Sequence, residues 1–188
     1  MENKLSGVKI VIGLGNPESS YKSTYHNAGK LMVDRLLEKF RAAGLAETGN
    51  FRKKIFGKFE SCKADGLTLV KPTNYMNENG KAAKAALKSF GAKPGSLIVA
   101  HDDSDIEIGK YKVSFGSGSA GHKGVQSVID NVASKDFWRL RIGVGKPEKA
   151  DKVKAGEFVL KKISGENKEL MNSAFDAAIE EIFGNSVS

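Results

Sequence analysis

Val8-Lys9-Ile10-Val11-Ile12-Gly13-Leu14, running straight into Gly15-Asn16-Pro17-Glu18, is the stretch on which the fold class turns. A mostly apolar, β-branched run of this kind suits a strand buried on both faces, which has no solvated side to make polar. It ends abruptly in glycine, asparagine and proline. Loops at the carboxyl ends of buried strands are where α/β proteins carry their chemistry. The glycines invite comparison with a dinucleotide fingerprint, but Glu18 stands where a third glycine is needed, and its carboxylate would repel a pyrophosphate. Pro17 has no amide hydrogen to offer phosphate. A second glycine-rich stretch, residues 116–121, fails as a P-loop because His122 stands where that loop needs lysine.

Outward from this strand, Leu31, Val33, Leu36, Leu37 and Phe40 fall at helical spacing, with Gly44 as a stop. Residues 54–62 and 67–71 flank Asp65-Gly66, the strongest short hairpin signal in the chain. Asn77 or Asn79 is expected to cap a helix over residues 82–90, ended by Gly91. Residues 97–100 and 110–115 read as further strands, and His122 to about Val132 as a helix. Residues 138–144 alternate apolar and basic side chains, which predicts a strand with one polar face. Residues 164–183 form an acidic amphipathic helix with Leu170, Met171, Phe175, Ile179 and Ile182 on its apolar side. Strands alternating with helices predict one compact α/β domain over residues 1–188, a central mixed sheet with helices on both faces.

A chain of 188 residues with 40% hydrophobic and 28% charged residues can hold such a core without disulfides or structural metal. Its single cysteine, Cys62, excludes an internal disulfide framework and any cysteine-based zinc cluster, and reads with Trp138 as a packing residue. No apolar run approaches the roughly 18 residues of a membrane span, and Met1-Glu2-Asn3-Lys4 leads into no signal core. The expectation is a soluble, cytoplasmic protein with no membrane contact. Charge is the more telling quantity. The net +8 is concentrated in residues 1–94, with 17 basic and 8 acidic side chains, against 13 and 14 in residues 95–188. Such a surplus suits a polyanion, whose counterions are released on binding; it also serves solubility.

Three histidines are available for chemistry: His26, His101 and His122. His26 sits in the loop after the first strand. His101-Asp102-Asp103 falls at the end of the predicted strand 97–100, hence at the same sheet edge. A histidine there with a carboxylate to orient it would make a general base, and the same residue types are metal ligands. No pair of histidines or cysteines at ligand spacing supports zinc; Mg²⁺ stays open. Asn16, Asn27, Asn74, Asn77 and Asn79 cluster around these loops, and each carboxamide both donates and accepts, as a site gripping peptide backbone requires. Asparagine is also common in turns. Neither Cys62 nor any serine lies in a nucleophile motif, which leaves water as the attacking group.

In order along the chain, Gly13-Leu14-Gly15-Asn16-Pro17-Glu18, Tyr21-Lys22-Ser23-Thr24-Tyr25-His26-Asn27, Lys71-Pro72-Thr73-Asn74-Tyr75-Met76-Asn77, His101-Asp102-Asp103, Gly121-His122 and Arg139-Leu140-Arg141-Ile142-Gly143-Val144-Gly145 resemble bacterial-type peptidyl-tRNA hydrolase. Six motifs in one order at matching spacing are highly specific. The resemblance implies a monomeric α/β fold and a cofactor-free, metal-free esterase. It would hydrolyse the bond between a stalled peptide and the 3′ ribose of tRNA. It implies His26 as the general base and Asp102 as the carboxylate that orients it. It further implies Asn16 and Asn77 as substrate hydrogen-bonders, Tyr21 and Tyr75 as contacts to the tRNA end, His122 as a site-lining histidine and Arg141 as a phosphate ligand.

The chain departs from the family pattern at four places. Lys123 replaces an asparagine that contacts substrate, and can meet a phosphate or the RNA 3′ end as a point charge. Ser114 replaces a common basic residue; alternation puts Lys110 and Lys112 on its face, so Lys112 is the candidate substitute. Tyr75 stands where phenylalanine is common and Glu18 where glycine is. Two rival readings follow from the residues: a non-catalytic RNA-binding relative, invited by Lys123, and a metal-dependent nuclease built on Asp102, Asp103 and Asp105.

Overall fold

A computed structural model describes Leu5, residues 7–145 and residues 158–187; residues 1–4, read above for a signal core, lie outside the described residues. Seven strands form one sheet: β1 (Ile10–Gly13), β2 (Arg52–Lys54), β3 (Phe59–Ala64), β4 (Leu67–Pro72), β5 (Leu97–Glu107), β6 (Tyr111–Phe115) and β7 (Trp138–Gly145), in the order β2-β3-β4-β1-β5-β7-β6. The four strands β4, β1, β5 and β7 are parallel, while the β2–β3, β3–β4 and β6–β7 pairs are antiparallel. The expected mixed sheet is therefore what forms.

Strand alternation divides the core. Val11, Ile98, Ala100, Leu140 and Ile142 pack against α1 (Ala28–Ala42) and α4 (Gly165–Val187). Ile10, Ile12, Leu97 and Val99 pack on the other side against α2 (Asn79–Ser89) and α3 (Lys123–Val132). Every residue of β1 is buried, as its β-branched run requires. Helix α4 is seated through Met171, Phe175, Ile179 and Ile182 and pinned by a fork from Arg35 to Asp176, Nε and Nη2 donating at 2.8 and 2.7 Å. Leu170 was expected on this seam but is 42% exposed. It precedes Met171 by one residue, a rotation of about 100° that carries it off the face.

The hairpin turn is as expected, with Asp65 and Gly66 both left-handed at φ 47° and 70°, the signature of a type I′ turn. Residues 54–62 do not make one strand. A 3₁₀ turn, Ile55–Gly57, separates β2 from β3, and the Phe59 ring occupies the space beside Gly57 where a Cβ would stand. Strand β5 runs seven residues beyond the predicted end: Asp102 and Asp103 are buried on polar partners and interrupt the hydropathy while still pairing with β7, and the ladder shifts register only between Asp103 and Glu107. The alternation predicted for β7 forms, with Leu140, Ile142 and Val144 in the core and Arg139 and Arg141 on the opposite face, but that face is covered: Arg139 is 2% exposed, its Nη1 donating to the Gly118 carbonyl at 2.6 Å.

One close approach positions the site. A Cβ on Gly13 would stand 2.1 Å from the Gly29 carbonyl oxygen, and one on Gly29 would stand 2.2 Å from that of Ala100. Two residues without Cβ let the first turn of α1 press against the ends of β1 and β5. His26, just before α1, is thereby brought over Asp102.

Candidate active site

The carboxyl ends of β1 and β5, the entry to α1 and the start of α3 enclose a cleft of about 540 Å³, lined among others by Asn16, Tyr21, His26, Asp102, His122 and Lys123. At its floor His26 Nδ1 lies 3.0 Å from each oxygen of Asp102. The imidazole is half-buried and the carboxylate buried. With Nδ1–H donated to Asp102, the lone pair of the ring is on Nε2, which no described side chain engages. The backbone of His26 is held from outside: its amide donates to the Val159 carbonyl at 2.8 Å, and Tyr25 stacks on Phe158 with centroids 4.8 Å apart.

Asp102 serves a second imidazole. His122 Nε2 lies 2.9 Å from Asp102 Oδ1. His122 also caps α3, its Nδ1 accepting the amide hydrogens of Gly124 and Val125 at 3.1 and 3.2 Å. A nitrogen that accepts from a helix N-terminus carries no hydrogen, so the ring hydrogen is on Nε2 and is donated to Asp102. Burial alone would raise the Asp102 carboxyl. The hydrogen bonds from His122 and His26 outweigh it and hold Asp102 well below the usual carboxylate range. These bonds favour its carboxylate form.

His101 does not offer the base that its sequence position suggested. It points to the other side of β5, is 1% exposed, and sets Nδ1 2.7 Å from the Asp102 carbonyl oxygen. Burial, with His122 adding to it, lowers its pKa to about 3. It is a neutral packing residue, edge-on to His122 at 4.8 Å.

Asn16 is held by four bonds. Its amide donates to Asn27 Oδ1 at 2.8 Å, and its carbonyl accepts from Lys30 Nζ at 2.8 Å and Asn27 Nδ2 at 3.2 Å. Its Oδ1 accepts the Met76 amide at 2.9 Å. That last bond sets the carboxamide orientation and leaves Nδ2 as a donor at the cleft. Asn79, expected as a possible helix cap, is instead fully buried. Its Oδ1 takes the Gly15 amide at 2.9 Å and its Nδ2 the Tyr75 carbonyl at 2.8 Å, while Glu78 holds the cap position without a side-chain bond. Asn27, Lys30 and Asn79 thus build the Asn16 loop.

The remaining predicted residues distribute unevenly. Tyr21 lines the cleft. Asn77 is exposed and lines a neighbouring hollow with Lys123, Ser119 and Gln126, which joins the cleft at Lys123. Tyr75 stands at the mouth, its hydroxyl donating to Glu18, so two of the departures from the family pattern meet each other. Arg141 lies outside the cleft lining with Nε donated to Asp103 at 2.7 Å. Exposed Lys112 is its cross-strand neighbour on β6, and Ser114 faces Arg139. The three aspartates of the nuclease reading all line the cleft, but their carboxylates are engaged apart: Asp102 with the two histidines, Asp103 with Arg141 and the Asp105 amide. Among the described residues the group spaced for a metal is His26, Asp102 and His122, whose donor atoms lie within 4.8 Å of one another and are already paired among themselves. Cys62 is buried, its Sγ donating to the Thr48 carbonyl at 2.7 Å, a packing role as expected.

What sequence missed is tertiary in origin. Lys30, the Met76 amide and the segment at Val159 and Leu160 carry no local signal, because each acts through a contact made by the fold.

The family model described as peptidyl-tRNA hydrolase matches residues 10–185. A peptidyl-tRNA hydrolase of Thermodesulfovibrio yellowstonii is 38% identical over 177 residues, covering 92% of this chain and 89% of the relative. That of Neisseria meningitidis is 35% identical, covering 93% and 88%. The crystal structure of peptidyl-tRNA hydrolase from Acinetobacter baumannii superposes with a TM-score of 0.81 at 28% identity, covering 97% of this chain and 94% of that one.

Proposed function

This chain belongs to the peptidyl-tRNA hydrolase family, and from that premise we propose that His26 is its general base, Asp102 the orienting carboxylate and water the nucleophile. The enzyme is a hydrolase that cleaves the ester joining peptide to tRNA. The observation supporting the assignment is the bidentate contact of His26 Nδ1 with Asp102, which puts the basic lone pair on Nε2.

In this reading Nε2 takes a proton from water as the oxygen adds to the ester carbonyl. Asp102 stabilises the imidazolium that forms. When the tetrahedral intermediate collapses, the C–O bond to the ribose breaks and Nε2–H returns the proton to the leaving oxygen. The free Nδ2 of Asn16 supplies a hydrogen bond to a carbonyl oxygen of the substrate, which strengthens as charge develops. A free aminoacyl ester brings an ammonium into a site built for a neutral amide and is left poorly solvated. Tyr21, Tyr75, Asn77 and Lys123 contact the RNA end, and Arg141 with Lys112 a phosphate. The protein acts as a cytoplasmic monomer. No helix among the described residues is long and apolar enough to cross a membrane.

The test pairs N-acetyl-aminoacyl-tRNA with the unblocked aminoacyl-tRNA, each with chelator present. Release of the blocked amino acid alone, abolished in His26→Ala, is expected. Survival of both esters while tRNA still binds would give the site to RNA binding without catalysis.

A further inference from the structure

The sheet edge that carries the cleft continues across β4 and β3 to the outermost strand β2, and its surface there is made of cations and aromatic rings. Arg52, Lys53 and Lys54 are exposed along β2 and Lys58 just after it; among the described residues none of the four is in an ion pair. Between them Phe56 stands wholly in solvent, the most exposed large apolar side chain described, and Tyr75 comes next. The two rings belong to one strip. The Lys58 carbonyl accepts the Thr73 amide at 2.8 Å, tying the turn that carries Phe56 to the segment that carries Tyr75 and then Met76 into the cleft. From β1 to β2 is three strand spacings, about 14 Å.

Lysine and arginine on a short edge strand keep it from pairing with another sheet. That accounts for the cations of β2, but not for a phenylalanine beside them that covers no apolar surface. Rings among unpaired cations suit single-stranded nucleic acid, whose bases stack on the rings while its phosphates meet the charges. The carboxylates bordering the strip are engaged: Glu18 with Tyr75, Glu78 with Lys81 and Glu60 with Lys71.

Resting on the peptidyl-tRNA hydrolase reading, we propose that this strip binds the unpaired 3′ strand of the substrate tRNA. Phe56 stacks on a base preceding the esterified nucleotide, and Arg52, Lys53, Lys54 and Lys58 meet the phosphates. The strip lies across the cleft from β7 and β6, so it adds to the RNA footprint on the side away from Arg141 and Lys112.

Phe56→Ala removes no buried contact and leaves the fold intact. With N-acetyl-aminoacyl-tRNA it is expected to raise KM about tenfold at unchanged kcat. Replacing Arg52, Lys53 and Lys54 together by serine is expected to flatten the dependence of log KM on log salt by about 2. The control replaces Lys9, Lys93 and Lys135, exposed residues preceding β1, β5 and β7 at the opposite sheet edge, by serine. A wild-type KM in Phe56→Ala, or an equal loss in the control, overturns the proposal. Binding of uncharged tRNA to His26→Ala protein reads the same footprint without hydrolysis. Failure of the wild type to cleave the ester therefore overturns the underlying reading separately.

Discussion

Asp102 and His122 share a hydrogen across 2.9 Å, and the helix that His122 caps decides which side it comes from. Because Nδ1 of His122 is spent on the amides of Gly124 and Val125, Nε2 is the donor. His26 donates to the same carboxylate from the other side. An anion with two imidazole donors is thus fixed in place under the His26 ring.

Asp102→Asn is expected to lower kcat by about 10²–10⁴ with KM little changed, since a carboxamide sets an NH2 against the His26 Nδ1–H in place of the second oxygen and carries no charge to stabilise an imidazolium. Single-turnover hydrolysis of N-acetyl-aminoacyl-tRNA measures this. A kcat within a factor of three of wild type would remove Asp102 from the mechanism.

His122→Leu should lower stability by about 1 kcal/mol through loss of the cap and also lower kcat, because Asp102 loses its second donor. His122→Asn restores the cap but not the reach to Asp102, so it should recover melting temperature and not kcat. Nitrogen NMR shifts of the wild-type ring should show hydrogen on Nε2. Hydrogen on Nδ1 would refute the capping geometry.

His101 makes the fold acid-sensitive. Its pKa is lowered by burial from 6.5 to about 3. Between those values the unfolded chain binds a proton that the folded one does not. Stability therefore rises with pH from about 3 to 6.5 and is lost as pH falls through that window. Urea midpoints at pH 7 and pH 4.5 should differ by less in His101→Gln than in wild type. Equal differences would mean that other groups carry the acid sensitivity.

Lys123→Asn tests the departure at the cleft rim. If Lys123 meets a phosphate, KM for tRNA substrate rises and the log–log salt slope becomes shallower by about 1. An unchanged slope with altered kcat would instead put the lysine at the reacting ester.

Much of this was legible before folding. The run from Val8 to Leu14, the Asp65-Gly66 turn and the helical spacing after His26 each state their structure locally, and the sheet with helices on two faces follows from them. The motif residues His26, Asp102, Asn16 and His122 converge in the cleft. The errors share one cause. Hydropathy patterns assume that a polar residue faces water, whereas Arg139, His101, Asp102 and Asp103 are buried on specific partners. Strand β5 therefore outruns its apolar stretch, and the basic face of β7 is covered where the pattern predicts it solvated. Asn79 looked like a cap because caps are asparagine's local role; its real partner, Gly15, is 64 residues away.

The amino-acid order alone determined the fold class, the basic character of the first half and the family, because periodicity, charge and motif spacing are properties of neighbours along the chain. Only the tertiary structure decided which histidine meets the Asp102 carboxylate from the cleft, which nitrogen of that ring is left with its lone pair and which way Asn16 turns its amide. Those depend on hydrogen bonds between residues far apart in sequence, His26 and Asp102 across 76 positions and Asn16 and Met76 across 60. No local propensity encodes a bond whose partner is brought near only when the chain has packed.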